Sequence, residues 1–113
     1  MTQPGSIDLR RWPRHKVDVR LKVSFGEGKS GQSAFGRANN LSQGGLGAYI
    51  PCAIPVGATV VLEVSFPYSP TEVKVKALVR SCEGFRYGLE FLNVPDHVRA
   101  VIVKNCDAAG AAG

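Results

Sequence analysis

The 113-residue sequence lacks the features that mark several large classes of protein. No apolar run approaches the ~20 residues that a membrane-spanning helix needs. The first residues lack the positive charge and apolar stretch of a signal peptide. The three cysteines, Cys52, Cys82 and Cys106, are odd in number, widely spaced and without a Cys-x-x-Cys pair. We therefore expect a cytoplasmic protein with no membrane partner, whose thiols are reduced and either buried or idle.

The sequence also lacks the patterns that carry catalysis or bind metal. His15 and His97 stand near opposite ends of the chain, and the cysteines and histidines never cluster as metal ligands do. Ser42 follows leucine rather than sitting in the Gly-x-Ser-x-Gly elbow of hydrolases. The glycines at 45 and 47 resemble a dinucleotide fingerprint, but Ile50 replaces its third glycine and a Walker lysine is absent. We predict no enzyme, no catalytic residue, no metal and no cofactor.

What the sequence does contain is an ordinary globular composition with a local excess of positive charge. Hydrophobic residues make up 44% and charged residues 20%, which suits one folded domain of this length. The net charge is +5, and five of the fourteen basic residues fall between Arg10 and Arg20. Such an excess attracts anions. We expect a lead-in over 1–8, one domain over 9–106 that includes the arginine loop, and a disordered tail over 107–113.

Alternation of apolar and polar residues predicts an all-β fold. From His15 onward the valine, leucine and phenylalanine positions alternate with charged or polar ones, which is the pattern of a half-buried strand. Glycines and prolines separate six such segments, at about 15–25, 33–39, 45–50, 60–66, 73–80 and 86–92. Short strands with this punctuation favour a six-stranded antiparallel β-barrel. Pro95 and the helical spacing of the following valines predict a short C-terminal α-helix that ends near Asn105.

Two polar segments carry the candidate chemistry. The first is Arg10-Arg11-Trp12-Pro13-Arg14, in which Pro13 excludes a regular helix and the arginines offer planar forks for phosphate or guanine. The second runs from Asn40 to Gly45 and offers an amide, a hydroxyl and an open backbone. Solvated surface charge and an ordinary hairpin turn are the alternatives for these segments. Trp12 fits either a stacking surface or an anchor to the barrel.

The order and spacing of these segments resemble a PilZ domain, the receptor module for the bacterial second messenger cyclic di-GMP. The resemblance covers about residues 8–105 and rests on three motifs: Arg-x-x-x-Arg at Arg10 and Arg14, Asn-x-Ser-x-x-Gly at Asn40, Ser42 and Gly45, and Tyr-Gly-Leu-Glu-Phe over 87–91. It implies a six-stranded antiparallel barrel. It also implies a ligand held between the arginine loop and one barrel face.

The resemblance further implies a role for each motif residue. Arg10 and Arg14 would grip guanine and phosphate with Arg11 as an auxiliary contact, Asn40 would read a guanine edge, Ser42 would contact phosphate, and Gly45 would let backbone N–H groups approach the ligand. Many relatives have aspartate where this chain has Asn40, so its contact with guanine should be weaker. Leu9 stands where some relatives carry another arginine that helps to hold two stacked ligands. We therefore expect one ligand per protomer, in a single-domain receptor or adaptor that changes conformation and signals to a partner protein.

Two alternatives to a cyclic di-GMP receptor remain open. One is a small basic β-barrel that binds nucleic acid through the arginine loop, although Phe25, Phe66, Tyr87 and Phe91 fall in the inward register and not on a stacking surface. The other is a ligand-free PilZ-like module that acts through protein contacts alone. We expect no stable nucleic-acid partner, and the sequence does not identify the downstream effector.

Overall fold

The computed structural model describes residues 13–26, 31–69 and 71–112. It confirms the predicted fold: six antiparallel strands form a closed barrel, followed by one helix. The strands and helix are β1 (His15–Phe25), β2 (Gln32–Ser42), β3 (Gly45–Tyr49), β4 (Thr59–Val64), β5 (Val73–Glu83), β6 (Arg86–Leu92) and α1 (Asp96–Ala112).

The strand order around the barrel is β1-β2-β3-β6-β5-β4, and β4 pairs with β1 to close it. Strands adjacent in sequence form antiparallel pairs, except β3 and β4. Instead, β3 pairs with β6 and β4 pairs with β1. The hairpin between β5 and β6 has a two-residue turn in which Gly84 adopts a φ of 64°. Glycine at the first position of such a turn matches the right-handed twist of the flanking strands. This tight turn fixes where the first residues of β6 lie on the barrel wall.

The alternation predicted for β1 is the alternation observed. Val19, Leu21 and Val23 are buried in the barrel, while Asp18 points to solvent and accepts a 2.7 Å hydrogen bond from Nε of Arg37. This contact with Arg37 holds the pKa of the Asp18 carboxyl below its usual value. The inward residues of all six strands form one core cluster. Closing the sheet buries one face of each strand, so the period-2 pattern is read correctly from sequence.

Tyr87 fastens the long loop between β3 and β4 to the barrel. Its hydroxyl donates a 2.6 Å hydrogen bond to the carbonyl of Cys52 and accepts a 2.8 Å bond from the amide of Ile54. Burial raises the pKa of the phenol above its ordinary value. A buried hydroxyl needs such partners because an unsatisfied one costs about 1–3 kcal/mol.

The helix is longer than predicted. The predicted end near Asn105 was wrong, because α1 continues to Ala112, through most of the segment that was expected to form the tail. Alanine has the highest helix propensity, and the buried side of the helix continues at Cys106. Farther along, Gly110 lies against β1, where an added Cβ would be 3.1 Å from Cε1 of His15. No helix in the described part of the chain is long and apolar enough to cross a membrane.

The three cysteines are free and differ in exposure. Cys106 is buried in the helix–barrel contact, Cys52 is half-buried, and Cys82 is exposed near the end of β5. Burial, with a smaller contribution from the charge of Asp107, raises the pKa of the Cys106 thiol to about 11. Of the three thiols, that of Cys106 is the one shielded from solvent.

Candidate functional site

An open groove of about 320 Å³ lies on the outside of the barrel, where β2, β3, β5 and β6 come together. Two of the predicted site residues, Arg14 and Asn40, line this groove together although they belong to different motifs. The residues that matter for its chemistry are Arg14, Asn39, Asn40, Gly47, Cys82 and Arg86. The groove thus combines cationic and amide side chains on one surface.

A bulge in β2 brings two asparagines to the groove instead of one. The β2–β3 register shifts between Ala38 and Asn40, and both Asn39 and Asn40 line the groove. Nδ2 of Asn40 donates a 2.9 Å hydrogen bond to Oδ1 of Asn39, so the two amides form a pair. Regular alternation would place neighbouring side chains on opposite faces, and a bulge removes that constraint. The sequence analysis missed Asn39 for this reason.

The side chain of Asn40 lies across β3 and is fixed by Gly47. The amide of Gly47 donates a 3.0 Å hydrogen bond to Oδ1 of Asn40. An added Cβ at Gly47 would be 2.5 Å from Nδ2 of Asn40, so any larger residue there must displace the asparagine. An amide group has two donors and two acceptor positions. After its bonds to Asn39 and Gly47, Asn40 keeps one N–H and one lone pair for a ligand.

Ser42 and Gly45 do not line the groove. Ser42 is only 2% exposed, and its hydroxyl donates to the carbonyl of Gly45 at 3.2 Å and accepts from the amide of Gly44 at 3.3 Å. Gly45 is buried and pairs with Ser42 on one side and Glu90 on the other. The one proton of this hydroxyl is therefore engaged within the β2–β3 turn. The partners of Ser42 differ from the phosphate contact that the family resemblance implies.

Arg86 is a groove residue that the sequence analysis did not single out. It is exposed at the start of β6, opposite Tyr49 of β3 and opposite Glu83 across the β5–β6 turn. Among the described residues, its side chain and that of Arg14 give the groove two cations, against the single carboxylate of Glu83. The signal was available, because Arg86 directly precedes the motif at 87–91 and falls in the outward register beside the buried Tyr87.

The structure tests only part of the arginine motif. Arg14 is exposed and lines the groove, whereas Arg10 and Arg11, together with Leu9 and Trp12, lie outside the described residues. Across the described ranges no group of three His, Cys, Asp or Glu side chains is placed to hold a metal ion.

Solved structures with the same architecture come from several bacteria. The PilZ domain of YcgR from Escherichia coli, solved with cyclic di-GMP, has a TM-score of 0.69 at 18% identity, over 91% of this chain and 92% of that one. Bacillus subtilis MotI, an inhibitor of motility, has a TM-score of 0.72 at 13% identity, over 91% of this chain and 52% of its own. At these identities the likeness shows the shared fold.

A third structure, Borreliella burgdorferi PlzA in complex with cyclic di-GMP, has a TM-score of 0.56 at 15% identity, over 93% of this chain and 37% of that one. The chain thus spans about half of MotI and about a third of PlzA. A search of curated protein sequences found no match. The sequence profile of the PilZ domain matches residues 8–108, nearly the whole chain, and the chain therefore belongs to the PilZ domain family.

Proposed function

We propose that this protein is a receptor for cyclic di-GMP and that the groove between β2, β3, β5 and β6 is part of its ligand site. The observation that carries the proposal is that Arg14 and Asn40, one from each motif, line the same groove with Arg86. The solved PilZ domain of YcgR contains cyclic di-GMP, and this chain has the same fold. Binding rather than catalysis is the role that these side chains suit.

The groove offers the donors that a cyclic dinucleotide requires. Arginine guanidinium groups form paired hydrogen bonds with phosphate oxygens or with O6 and N7 of guanine. The Asn39–Asn40 pair adds amide donors and acceptors for the edge of a guanine. We propose Arg10, Arg11 and Arg14 as phosphate and guanine contacts, and Asn40, assisted by Asn39, as the contact to a base edge.

Ser42 and Gly45 support the site through the turn that they build. The hydrogen bonds of Ser42 to residues 44 and 45 hold the β2–β3 turn closed, and this turn sets the end of the strand that carries Asn40. A direct contact between Ser42 and phosphate, as the resemblance implies, would require the hydroxyl to leave its bond with Gly45. We propose one bound ligand per protomer, because Leu9 provides no further arginine.

Ligand binding would also convert the charged N-terminal segment into part of the barrel surface. Two phosphate charges between the Arg10–Arg14 segment and the groove reduce the repulsion among the arginines and join the two parts. The surface next to the groove then differs between the free and bound protein. A partner protein that distinguishes these surfaces receives the signal, in a reducing cytoplasm that suits three free thiols.

Calorimetric titration with cyclic di-GMP tests the proposal. We expect saturable binding at one site, no binding of GTP at the same concentration, and a loss of one to two decades in affinity for Arg14→Ala, since a charge-assisted hydrogen bond contributes ~1.5–3 kcal/mol. Arg99→Ala, an exposed arginine of α1, is the matched control and should bind normally. No heat and no change of Tm with excess ligand would instead favour a ligand-free interaction module.

Cys82 provides a second test of ligand binding that does not depend on a measurable heat of binding. Its exposed thiol lines the groove, so bound ligand should slow its reaction with a small thiol reagent. Cys52, which does not line the groove, is the internal reference in the same chain. Equal protection of both thiols would indicate general stabilisation, and no protection of Cys82 at saturating ligand would place the ligand elsewhere.

A further inference from the structure

A second surface, separate from the ligand groove, exposes three aromatic side chains on neighbouring strands. Phe35 of β2 is 67% exposed, Tyr49 of β3 is 49% exposed, and Phe85 in the β5–β6 turn is 44% exposed. Tyr49 and Phe85 contact edge to face with ring centroids 6.2 Å apart. We call these three residues the aromatic face. Contiguous exposed aromatic side chains on a small soluble domain mark interaction sites, because leaving them in water is costly.

Next to Phe35 and Tyr49 lies a shallow groove of about 450 Å³, whose lining also includes Gly36, Pro51, Arg20 and Arg37. Arg37 is opposite Tyr49 in the β2–β3 ladder and opposite Arg20 in the β1–β2 ladder. The two aromatic side chains therefore stand directly beside two arginines. A ligand for this groove must supply both apolar contact and negative charge.

The backbone beside the groove includes a strand edge with which no described strand pairs. β2 has eleven residues but β3 has five, and β3 pairs with β2 only from Arg37 to Ser42. After Tyr49 the chain turns towards β6, where the amide of Ile50 bonds to the carbonyl of Phe85. Within the described ranges, Gln32–Phe35 has no strand partner on the side away from β1, whereas Gly36 still lies against the backbone of Tyr49 and Ile50. Free N–H and C=O groups of this kind accept an added strand.

From these features we infer that the aromatic face and the free edge of β2 together bind an extended, acidic segment of a partner protein by strand addition. The added segment would continue the line of β3 beyond Ile50 and pair with Gln32–Phe35. Its bulky apolar side chains would pack against Phe35 and Tyr49. Its carboxylates would meet Arg20 and the free nitrogens of Arg37, whose Nε alone is engaged by Asp18.

Charge separates this occupant from the alternatives. A second copy of the chain would bring a surface with the same two arginines against this one, since a two-fold interface uses the same patch on both copies. A nucleic acid has no peptide N–H and C=O groups with which to extend the sheet along the free edge of β2. An acidic peptide can use both the free backbone edge and the two arginines. The inference does not depend on cyclic di-GMP, because this groove and the ligand groove have no lining residue in common.

Selection of a random linear peptide library on the folded protein, without nucleotide, tests the inference. Enriched peptides should combine Asp or Glu with bulky apolar residues. A synthetic peptide from the enriched set should lose about tenfold or more in affinity for the double variant Phe35→Ser, Tyr49→Ser, the change expected when large apolar contacts are removed. Tyr68→Ser is the matched control, since Tyr68 is equally exposed but lies outside the aromatic face.

Charge and backbone give two further readouts. Arg20→Glu should lower the affinity for the peptide, whereas Arg99→Glu on α1 should not. Added salt should lower the affinity of the parent protein for the peptide. Amide hydrogen exchange at Gln32–Phe35 should slow when the peptide is bound. Thermal melts of each variant establish that it is folded, which is expected because all the replaced side chains are exposed.

Each contrary outcome overturns the inference. A library that yields no enriched sequence, or peptides that bind the double variant as well as the parent, removes the proposed surface. Dimerisation of the parent that the double variant loses would assign the surface to a second copy of this chain. Binding of oligo(dT) or oligo(U) that the double variant loses and salt abolishes steeply would assign it to nucleic acid instead.

Discussion

Replacing Ser42 with alanine separates two roles that this residue can have. In the structure the hydroxyl is buried and makes two hydrogen bonds within the β2–β3 turn, to the carbonyl of Gly45 at 3.2 Å and from the amide of Gly44 at 3.3 Å. Both bonds are longer than the usual ~2.7–3.0 Å, so each lies at the weak end of its range. Their loss should cost about 1–2 kcal/mol in the free energy of unfolding.

The assay is a thermal melt followed by a titration with cyclic di-GMP well below the melting temperature. For a domain of this size a loss of about 1–2 kcal/mol lowers Tm by about 4–10 °C. If Ser42 acts only through the turn, the affinity of the folded variant should change less than about threefold, or ~0.7 kcal/mol. Ser33→Ala is the matched control, because Ser33 is exposed on the same strand and should alter neither quantity.

The opposite pattern would refute this reasoning. An unchanged Tm with an affinity loss of one to two decades, the size expected for a bond to a charged group, would mean that Ser42 contacts phosphate in the complex. The turn would then have to open when the ligand binds. A variant with both losses would show that the hydroxyl exchanges its bond with Gly45 for a bond with the ligand.

Three further substitutions or modifications test other parts of the structure. Tyr87→Phe removes two short buried hydrogen bonds and should lower the free energy of unfolding, measured in urea, by about 1–3 kcal/mol. Because folding raises the pKa of Tyr87, the parent should keep its full stability below the unfolded pKa of ~10 and lose stability as the pH rises through the folded pKa. The variant should lack this loss. At pH 8 a thiol reagent should modify Cys82 in the native protein, whereas Cys106, whose pKa is about 11, should react only after denaturant is added. Rapid reaction of both thiols in the native protein would contradict the packing of the helix on the barrel. Gly47→Ala should displace the side chain of Asn40 and weaken the binding of cyclic di-GMP by roughly two- to tenfold, with little change in Tm. An unaltered affinity would exclude Asn40 as a contact to a base.

The sequence predicted the barrel because strand alternation and barrel closure express the same physical constraint. A closed sheet has one inside and one outside, so each strand repeats the two-residue pattern that β1 shows at Val19, Leu21 and Val23. The helix was predicted where a stripe of apolar residues begins at Val98. Its end was not predicted, because the Ala/Gly-rich segment after Asp107 has no amphipathic pattern and is held in part by contact with His15, which is remote in sequence.

The site was less predictable than the fold, because its geometry depends on departures from regular pairing. A one-residue register shift turns both Asn39 and Asn40 towards the groove, and no local pattern in the sequence reports such a shift. The burial of Ser42 likewise follows from a turn whose polar atoms satisfy one another. Motif matching identifies the segment, but only the register decides which of its side chains reach a ligand.

Two outward positions on β3 explain how one short strand borders both surfaces. At Gly47 the strand has no side chain on its outer face, so Asn40 can lie across it and the ligand groove has room for a flat base. Two residues later, Tyr49 fills the same outer face with a large ring and forms one wall of the aromatic face. Arg86 pairs with Tyr49 in the ladder but lines the ligand groove, so it stands at the boundary. In the proposed function, a ligand that moves Arg86 would act on the strand pair that also carries the aromatic face, which would link nucleotide binding to a partner protein.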